Sequence, residues 1–329
     1  MHGFMLKEVV SSLEIVLLAA PMAVRLANEM LPEPLRELDA RLQDLLFSSG
    51  PDLDGKVEAS IEAVRLVAST VEAGVDGVRG PLAVMFSGGK DSLVVLDVVH
   101  RALGAGRYIV AYIEIPGNTH EENIEYAYRI ARLYGLEPGV SFLHLRHEKH
   151  DFYKLVERWG WPGPRRRWCM TTFKTSVVNR HLRGMVTATG VKAGDSGWRR
   201  SWKKAGVLGK IPGWRTVFFK PIFQWTTSDV LEYVSERGLP LNPLYETLGG
   251  SANCVYCPYN ADPEYYARLR DRYPHWWRRL LEAEARVEKG KPFYLGSRRR
   301  LGFEELASRA SKPRVPASCP LRDAGVCST

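Results

Sequence analysis

The sequence predicts an α/β protein: a parallel twisted sheet with flanking helices, preceded by a helical N-terminal region and followed by a small helical C-terminal part. Three observations lead to this. Residues 81–245 alternate short apolar runs with amphipathic stretches, the rhythm of a parallel sheet joined by right-handed crossovers. Leu82 to Phe86 is a continuous apolar run, as a strand buried on both faces requires. Upstream, Val57, Ile61, Val64, Val67 and Val71 recur at helical spacing, with Glu58, Glu62, Arg65 and Glu72 on other faces.

Residues 1–80 read as the helical region, interrupted by Gly50-Pro51 and closed by Gly80-Pro81. It carries no chemical motif and is expected to act as a packing appendage or a homodimer contact. Within it, Ile15 to Val24 is an apolar run with Glu8 and Glu14 before it and Arg25 after it. A membrane span needs about 20 apolar residues and a secretory leader a basic start, so the run reads as a buried helix. The chain is therefore expected to be cytoplasmic, with no membrane partner.

In the 81–245 domain, the strand at Leu82 is followed by a helix over Asp91–Leu103, a strand over Tyr108–Ile115 and a helix over Glu121–Tyr134. Val140–Leu145 and Met185–Val191 read as further strands. Trp225 and Asp229 start another helix, with Thr226, Thr227 or Ser228 as its cap, an architectural role. The third region, 246–329, holds a Cys-x-x-Cys pair, an aromatic and basic stretch from Tyr259 to Arg286, and a basic tail from Arg298. The stretch suits nucleic acid, but an amphipathic helix that packs its tryptophans inward explains it better.

Lys and Arg number 46 against 37 Asp and Glu, a net charge of +9 that favours anionic ligands. The five cysteines, Cys169, Cys254, Cys257, Cys319 and Cys327, are odd in number and irregularly spaced, which argues against a secreted disulfide framework.

The strongest chemical signal is Ser87-Gly88-Gly89-Lys90-Asp91-Ser92, between the first buried strand and its helix. Ligands of such sheets bind beyond the carboxyl ends of the strands. Two glycines allow a tight turn that brings N–H groups to an oxyanion, Lys90 adds charge, and Ser87 and Ser92 add hydroxyls. The following helix points its positive end at the same place. The spacing from glycine to lysine is too short for a Walker loop.

This loop resembles the signature of the PP-loop ATP pyrophosphatases and the related phosphoadenylyl-sulfate (PAPS) reductases, which share an adenine nucleotide alpha-hydrolase-like fold. Further segments resemble the same family in the same order. Glu114-Ile115-Pro116-Gly117-Asn118-Thr119 is similar to its segment after the second strand, near the adenosine. Asp195-Ser196-Gly197-Trp198-Arg199-Arg200 is similar to a later arginine segment that lacks the usual glutamate here. Pro221-Ile222-Phe223-Gln224-Trp225 and Asn242-Pro243-Leu244-Tyr245 follow, then Cys254-Val255-Tyr256-Cys257-Pro258.

The resemblance implies nucleotide contacts from Ser87, Gly88, Gly89, Lys90, Asp91, Ser92, Glu114, Arg166, Lys174, Asp195, Arg199 and Arg200, with Lys90 and Asp91 also catalytic. For Arg199 and Arg200 the competing reading is a solvated basic turn. Arg165-Arg166-Arg167-Trp168-Cys169-Met170 resembles the family's R-W-C-C segment, with Met170 in place of the second cysteine. In cluster-binding members those cysteines and the later pair hold a 4Fe–4S cluster, so Cys169, Cys254 and Cys257 are the implied ligands. The fourth iron would be open, or ligated by Cys319 or Cys327. A zinc site and a reducible Cys254–Cys257 disulfide compete with the cluster.

Two activities compete. The first is a PAPS reductase-like oxidoreductase acting on PAPS or adenosine phosphosulfate (APS), with Cys319 or Cys327 as nucleophile and a thioredoxin-like reductant. The tail Pro316-Ala317-Ser318-Cys319-Pro320 departs from the family's E-C-G-L-H, which weakens that nucleophile assignment. The second is an ATP- and Mg²⁺-dependent sulfurtransferase that adenylates and thiolates an acceptor such as a tRNA base. A nucleotide-binding partner protein without turnover is the non-enzyme reading.

Overall fold

The computed structural model describes residues 31–195, 206–287, 290–292, 294 and 299–310. The run Ile15–Val24, the arginines Arg199 and Arg200, and both tail cysteines, Cys319 and Cys327, lie outside the described residues.

The helices placed here are α1 (Glu33–Phe47), α2 (Leu53–Glu72), α3 (Lys90–Leu103), α4 (Glu121–Leu133), α5 (Phe152–Trp159) and α6 (Ser176–His181). They continue with α7 (Thr227–Glu236), α8 (Leu244–Leu248), α9 (Pro263–Arg272), α10 (Pro274–Arg286) and α11 (Phe303–Ala307). A π-helical turn, Met170–Thr175, leads into α6. The strands are β1 (Leu82–Phe86), β2 (Tyr108–Glu114), β3 (Phe142–Arg146), β4 (Val186–Ala188), β5 (Leu208–Gly209) and β6 (Val217–Phe219).

Their order in the sheet is β3-β2-β1-β4-β6-β5. The pairs β1–β4, β2–β3 and β4–β6 are parallel, as the strand–helix alternation predicts. The exception is β5, a two-residue edge strand that runs antiparallel to β6. A strand so short leaves little open edge to attract other chains.

The chain divides into two compact units. The first comprises residues up to Val84, Asp97–Tyr108 and Leu182–Asp229. Its helix α1 buries Leu35, Leu38, Leu42 and Leu46, one stripe at helical spacing. Helix α2 starts where the Asp52 carboxylate accepts the Gly55 N–H at 2.9 Å. Its buried face holds Val57, Val64 and Val67 as expected, joined by Ala59, Ser60, Ala63 and Ala68, while Ile61 and Val71 are only half-buried. Small residues let the helix approach its neighbours closely, and hydropathy alone ranks them below isoleucine.

Polar contacts tie this unit together. The Asp39 carboxylate accepts N–H bonds from Val207 and Leu208 at 2.8 and 2.6 Å. Ser60 Oγ donates to the Pro221 carbonyl at 2.9 Å and accepts from the Trp225 indole at 3.1 Å. Lys56 pairs with Asp229 at 2.8 Å. Thr226 Oγ1 accepts the Asp229 N–H and Asp229 accepts the Thr226 N–H, a reciprocal cap at the start of α7. Trp225 and Asp229 are architectural, as their pattern predicts.

The second unit comprises Met85–Leu96, Ile109–His181 and the chain from Val230 on. Its core is aromatic. Tyr265, Tyr266, Trp276 and Trp277 of α9 and α10 are buried with Phe152, Trp161, Tyr256 and Phe303. The tryptophans of the aromatic and basic stretch thus point inward, while Arg278 is exposed and Arg279 lies over the Trp276 and Tyr153 rings and pairs with Asp151 at 3.3 Å. Among the described residues no helix is long and apolar enough to cross a membrane.

Candidate functional site

The loop Ser87–Gly89 leaves β1 and enters α3 at Lys90. Gly88 has a φ of 75°, and a Cβ there would stand 2.4 Å from the Asn123 amide nitrogen, so glycine is required for both conformation and space. Ser92 is buried and closes the turn from within. Its hydroxyl donates to the Gly89 carbonyl at 2.8 Å and accepts the Ser87 N–H at 3.2 Å. Ser87 Oγ lies 3.2 Å from Ser92 Oγ. Lys90 Nζ sits 3.0 Å from the Asp91 carboxylate. The nucleotide-loop residues therefore come together as one turn with an ammonium beside it.

Three residues outside the loop hold its shape. Asn123 of α4 donates to the Ser87 and Ser251 carbonyls at 3.4 and 2.6 Å, and its own carbonyl accepts the Tyr112 hydroxyl. Asn242 donates to the Gly88 carbonyl at 3.2 Å. The Lys90 N–H donates to the Tyr245 hydroxyl at 3.1 Å. Asn242 and Tyr245 stand in the N-P-L-Y segment, a signal that sequence reasoning used only to place the family. Asn123 is an unremarked polar residue on an amphipathic helix, and nothing local marks it.

Glu114 ends β2, where His144 Nε2 lies 2.8 Å and Arg146 Nη1 3.8 Å from its carboxylate. The His144 bond, ahead of the nearby charges, holds the Glu114 carboxyl below the usual range despite partial burial. The Tyr128 hydroxyl, 3.0 Å from His144 Nδ1, completes a chain that orients the ring. Asp195 belongs to the first unit, on a single turn over Ala193–Asp195, and pairs with the buried Lys192 at 3.0 Å.

A cavity of about 520 Å³ in the second unit is lined by Ser87, Lys174, the segment Leu248–Cys254, Cys257, Tyr259, Asn260, Asp262 and Tyr265. Its wall is fixed through the backbone. Asn118 brackets the Cys-x-x-Cys turn, accepting the Tyr256 N–H at 2.9 Å and donating to the Tyr256 carbonyl at 3.0 Å. Ala252, buried at φ 47°, turns the chain into it. Of the arginine run, Arg166 donates to the Trp159 carbonyl at 3.1 Å and Arg167 stacks on the Tyr259 ring at 4.8 Å.

Cys169, Cys254 and Cys257 are free thiols, each half-buried. Burial, and then the charges of Cys254 and Cys257, push the Cys169 thiol up to about 12, against Lys174 and Arg167. Burial raises Cys254 as well, opposed by Lys174. Thiols that share one low-dielectric region resist ionising together until a cation replaces their protons. That donor set fits a thiolate-bound metal centre. Among the described residues no group of three or more His, Cys, Asp or Glu side chains is closed up around a single ion position.

The model of the phosphoadenosine phosphosulfate reductase domain matches residues 81–260. The chain belongs to the PAPS reductase domain family. The match takes in the nucleotide loop, the π-helical turn and the Cys-x-x-Cys turn. An uncharacterized protein of Methanocaldococcus jannaschii is 27% identical over 205 residues, 61% of this chain and 40% of that protein. The adenosine 5'-phosphosulfate reductase of Lysinibacillus sphaericus is 33% identical over 73 residues, 21% of this chain and 31% of that enzyme. The chain thus spans less than half the length of either relative. Among solved structures, the phosphate complex of the Candida auris PAPS reductase superposes with a TM-score of 0.40 at 14% identity, covering 56% of this chain and 89% of that one.

Proposed function

We propose that this PAPS reductase family member binds an adenine sulfonucleotide on the Ser87–Ser92 loop and reduces its sulfonate to sulfite. The observation that carries the reading is a single cavity lined both by Ser87 of the nucleotide loop and by Cys254 and Cys257, with Lys174 between the two chemistries in character. An anion on the loop would meet the Lys90 ammonium and the N-terminus of α3, and Asp91 would hold that ammonium in place. Glu114, kept ionised by His144, is suited to accept from ribose hydroxyls. Arg166 is assigned to the remaining phosphate groups, and the family resemblance gives Asp195, Arg199 and Arg200 the same kind of role.

A 4Fe–4S cluster held by Cys169, Cys254 and Cys257 fits the donor set, because a polynuclear cluster places each thiolate on a separate iron. When bound, such a cluster would supply redox capacity. The covalent chemistry is assigned to a thiol of the tail, Cys319 or Cys327. Its thiolate attacks the sulfonate sulfur, forming a Cys–S–SO₃⁻ bond as the S–O bond to the nucleotide phosphate breaks. A thiolate of a thioredoxin-like dithiol then attacks the cysteine sulfur and expels sulfite. The mixed disulfide is resolved by the partner's second thiol, so the dithiol loses two electrons and the sulfur gains them.

The test is anaerobic purification with iron and sulfide analysis, then parallel titration with PAPS and ATP and an assay for sulfite. Tight PAPS binding with sulfite release is expected. Preference for ATP without sulfite would overturn the reading in favour of ATP-dependent sulfur transfer to an acceptor.

A further inference from the structure

The anion seat of the nucleotide loop already holds a protein group. The Lys90 N–H is the first of α3, and N–H groups at a helix start have no partner within their own helix. It is met by the Tyr245 hydroxyl at 3.1 Å. The same oxygen lies 3.5 Å from where a Cβ on Gly89 would stand, at the spot that the missing side chain leaves open. A phenol oxygen therefore accepts the bond that a phosphate or sulfonate oxygen on this loop would accept.

Tyr245 is also mechanically connected to the thiols. It lies on α8, which ends at Gly249 with a φ of 80°. Next comes Gly250, where an added Cβ would meet nothing within 4 Å. From there the chain runs along the cavity wall to Cys254. The other two contacts to the loop are of a different kind. Asn242 and Asn123 donate to the Gly88 and Ser87 carbonyls. An anion does not compete for a carbonyl's donor, so these two bonds persist when the loop is filled.

We propose that Tyr245 is a displaceable anion mimic. Its hydroxyl occupies the seat in the unliganded loop, and an incoming phosphate or sulfonate takes over the Lys90 N–H and releases the Tyr245 side chain, while Asn123 and Thr119 keep hold of the Ser251 and Asn253 carbonyls. An oxyanion is a stronger acceptor than a neutral hydroxyl, which sets the direction of the exchange. Asn242 and Asn123 keep the loop itself in shape, and Asn123 also holds the chain beyond the two glycines at the Ser251 carbonyl. The inference rests on the nucleotide-loop reading and adds to it an exchange of acceptors: the anion binds as the Tyr245 hydroxyl leaves the Lys90 N–H.

The experiment compares the full-length wild type with Tyr245→Phe, titrating each by calorimetry with inorganic pyrophosphate and with PAPS. Losing one neutral hydrogen bond that competes with the ligand is expected to tighten pyrophosphate binding about 2- to 10-fold. Unchanged or weaker binding by Tyr245→Phe overturns the proposal, since the hydroxyl would then be a passive cap or a direct contact to the ligand. Amide hydrogen exchange of the wild type provides a readout that does not depend on the variant folding. Exchange across α8, residues 244–248, is expected to rise on adding pyrophosphate, and no rise overturns the proposal. Binding of pyrophosphate without PAPS would sink the sulfonucleotide reading and leave the displacement intact; binding of neither anion would sink both.

Discussion

Two stretches of this chain match family motifs equally well, yet the fold uses them in opposite ways. Around Pro221–Asp229 the polar groups answer one another: Ser60 with the Trp225 indole, Lys56 with Asp229, Thr226 with the Asp229 backbone. Around Asn242–Cys257 the backbone is equally well held, by Asn118, Asn123 and Asn242, but the thiols of Cys254 and Cys257 face a cavity. A closed network stabilises; a clamped backbone that presents reactive side chains makes a site. The difference lies in where the side chains go, which motif matching does not record.

The contrast is broken most directly at the cysteines. Cys254→Ala and Cys257→Ala are each expected to abolish iron retention and visible absorbance in anaerobically purified protein. Asp229→Ala should leave both unchanged, and iron retained in either cysteine variant would remove these thiols from the ligand set.

The next effect belongs to the closed network. Lys220 is buried, donates to the Gly206 carbonyl, and lies over the Phe223 ring. Burial outweighs the Asp39 charge and lowers its pKa from 10.5 to about 8. The folded state releases this proton before the unfolded state does, so stability rises as pH climbs from about 8 toward 10. The full linkage is worth on the order of 3 kcal/mol. Urea unfolding across that range should show the rise in the wild type and its loss in Lys220→Met; equal slopes would contradict it. The range stops at 10 because tyrosines such as Tyr126, raised by burial, give the opposite slope above it.

A smaller effect sharpens the site. Lys90→Ala removes the ammonium proposed to bind the nucleotide and should weaken PAPS binding about 10- to 100-fold in calorimetry, with a small change in unfolding free energy. Smallest is Asp229→Ala, which breaks the reciprocal cap at α7 and the Lys56 pair. It should cost about 1–2 kcal/mol in denaturant unfolding while nucleotide affinity stays at the wild-type value. A loss of affinity there would show that the two stretches are not separable.

Much of this was legible in the residues. The apolar run of β1, the period of α2 and the glycine pair before α3 are local signals, and each appears where expected. The inward turn of Trp276 and Trp277 was legible too, because an amphipathic helix declares its buried face. The antiparallel β5 was not, since two residues carry no periodicity. Asn123 was equally silent: its importance comes from two carbonyls, Ser87 and Ser251, that lie 36 and 128 positions away.

What the sequence determined by itself is the family, the order of strands and helices, and the identity of the nucleotide loop, because these depend on short-range pattern and on residue types such as Gly88. Only the tertiary structure decided that Ser87, Lys174, Cys254 and Cys257 line one cavity, that Glu114 is held by His144, and that the Tyr245 hydroxyl meets the Lys90 N–H. Those are meetings between segments far apart along the chain, and their geometry is set by packing rather than by any local preference.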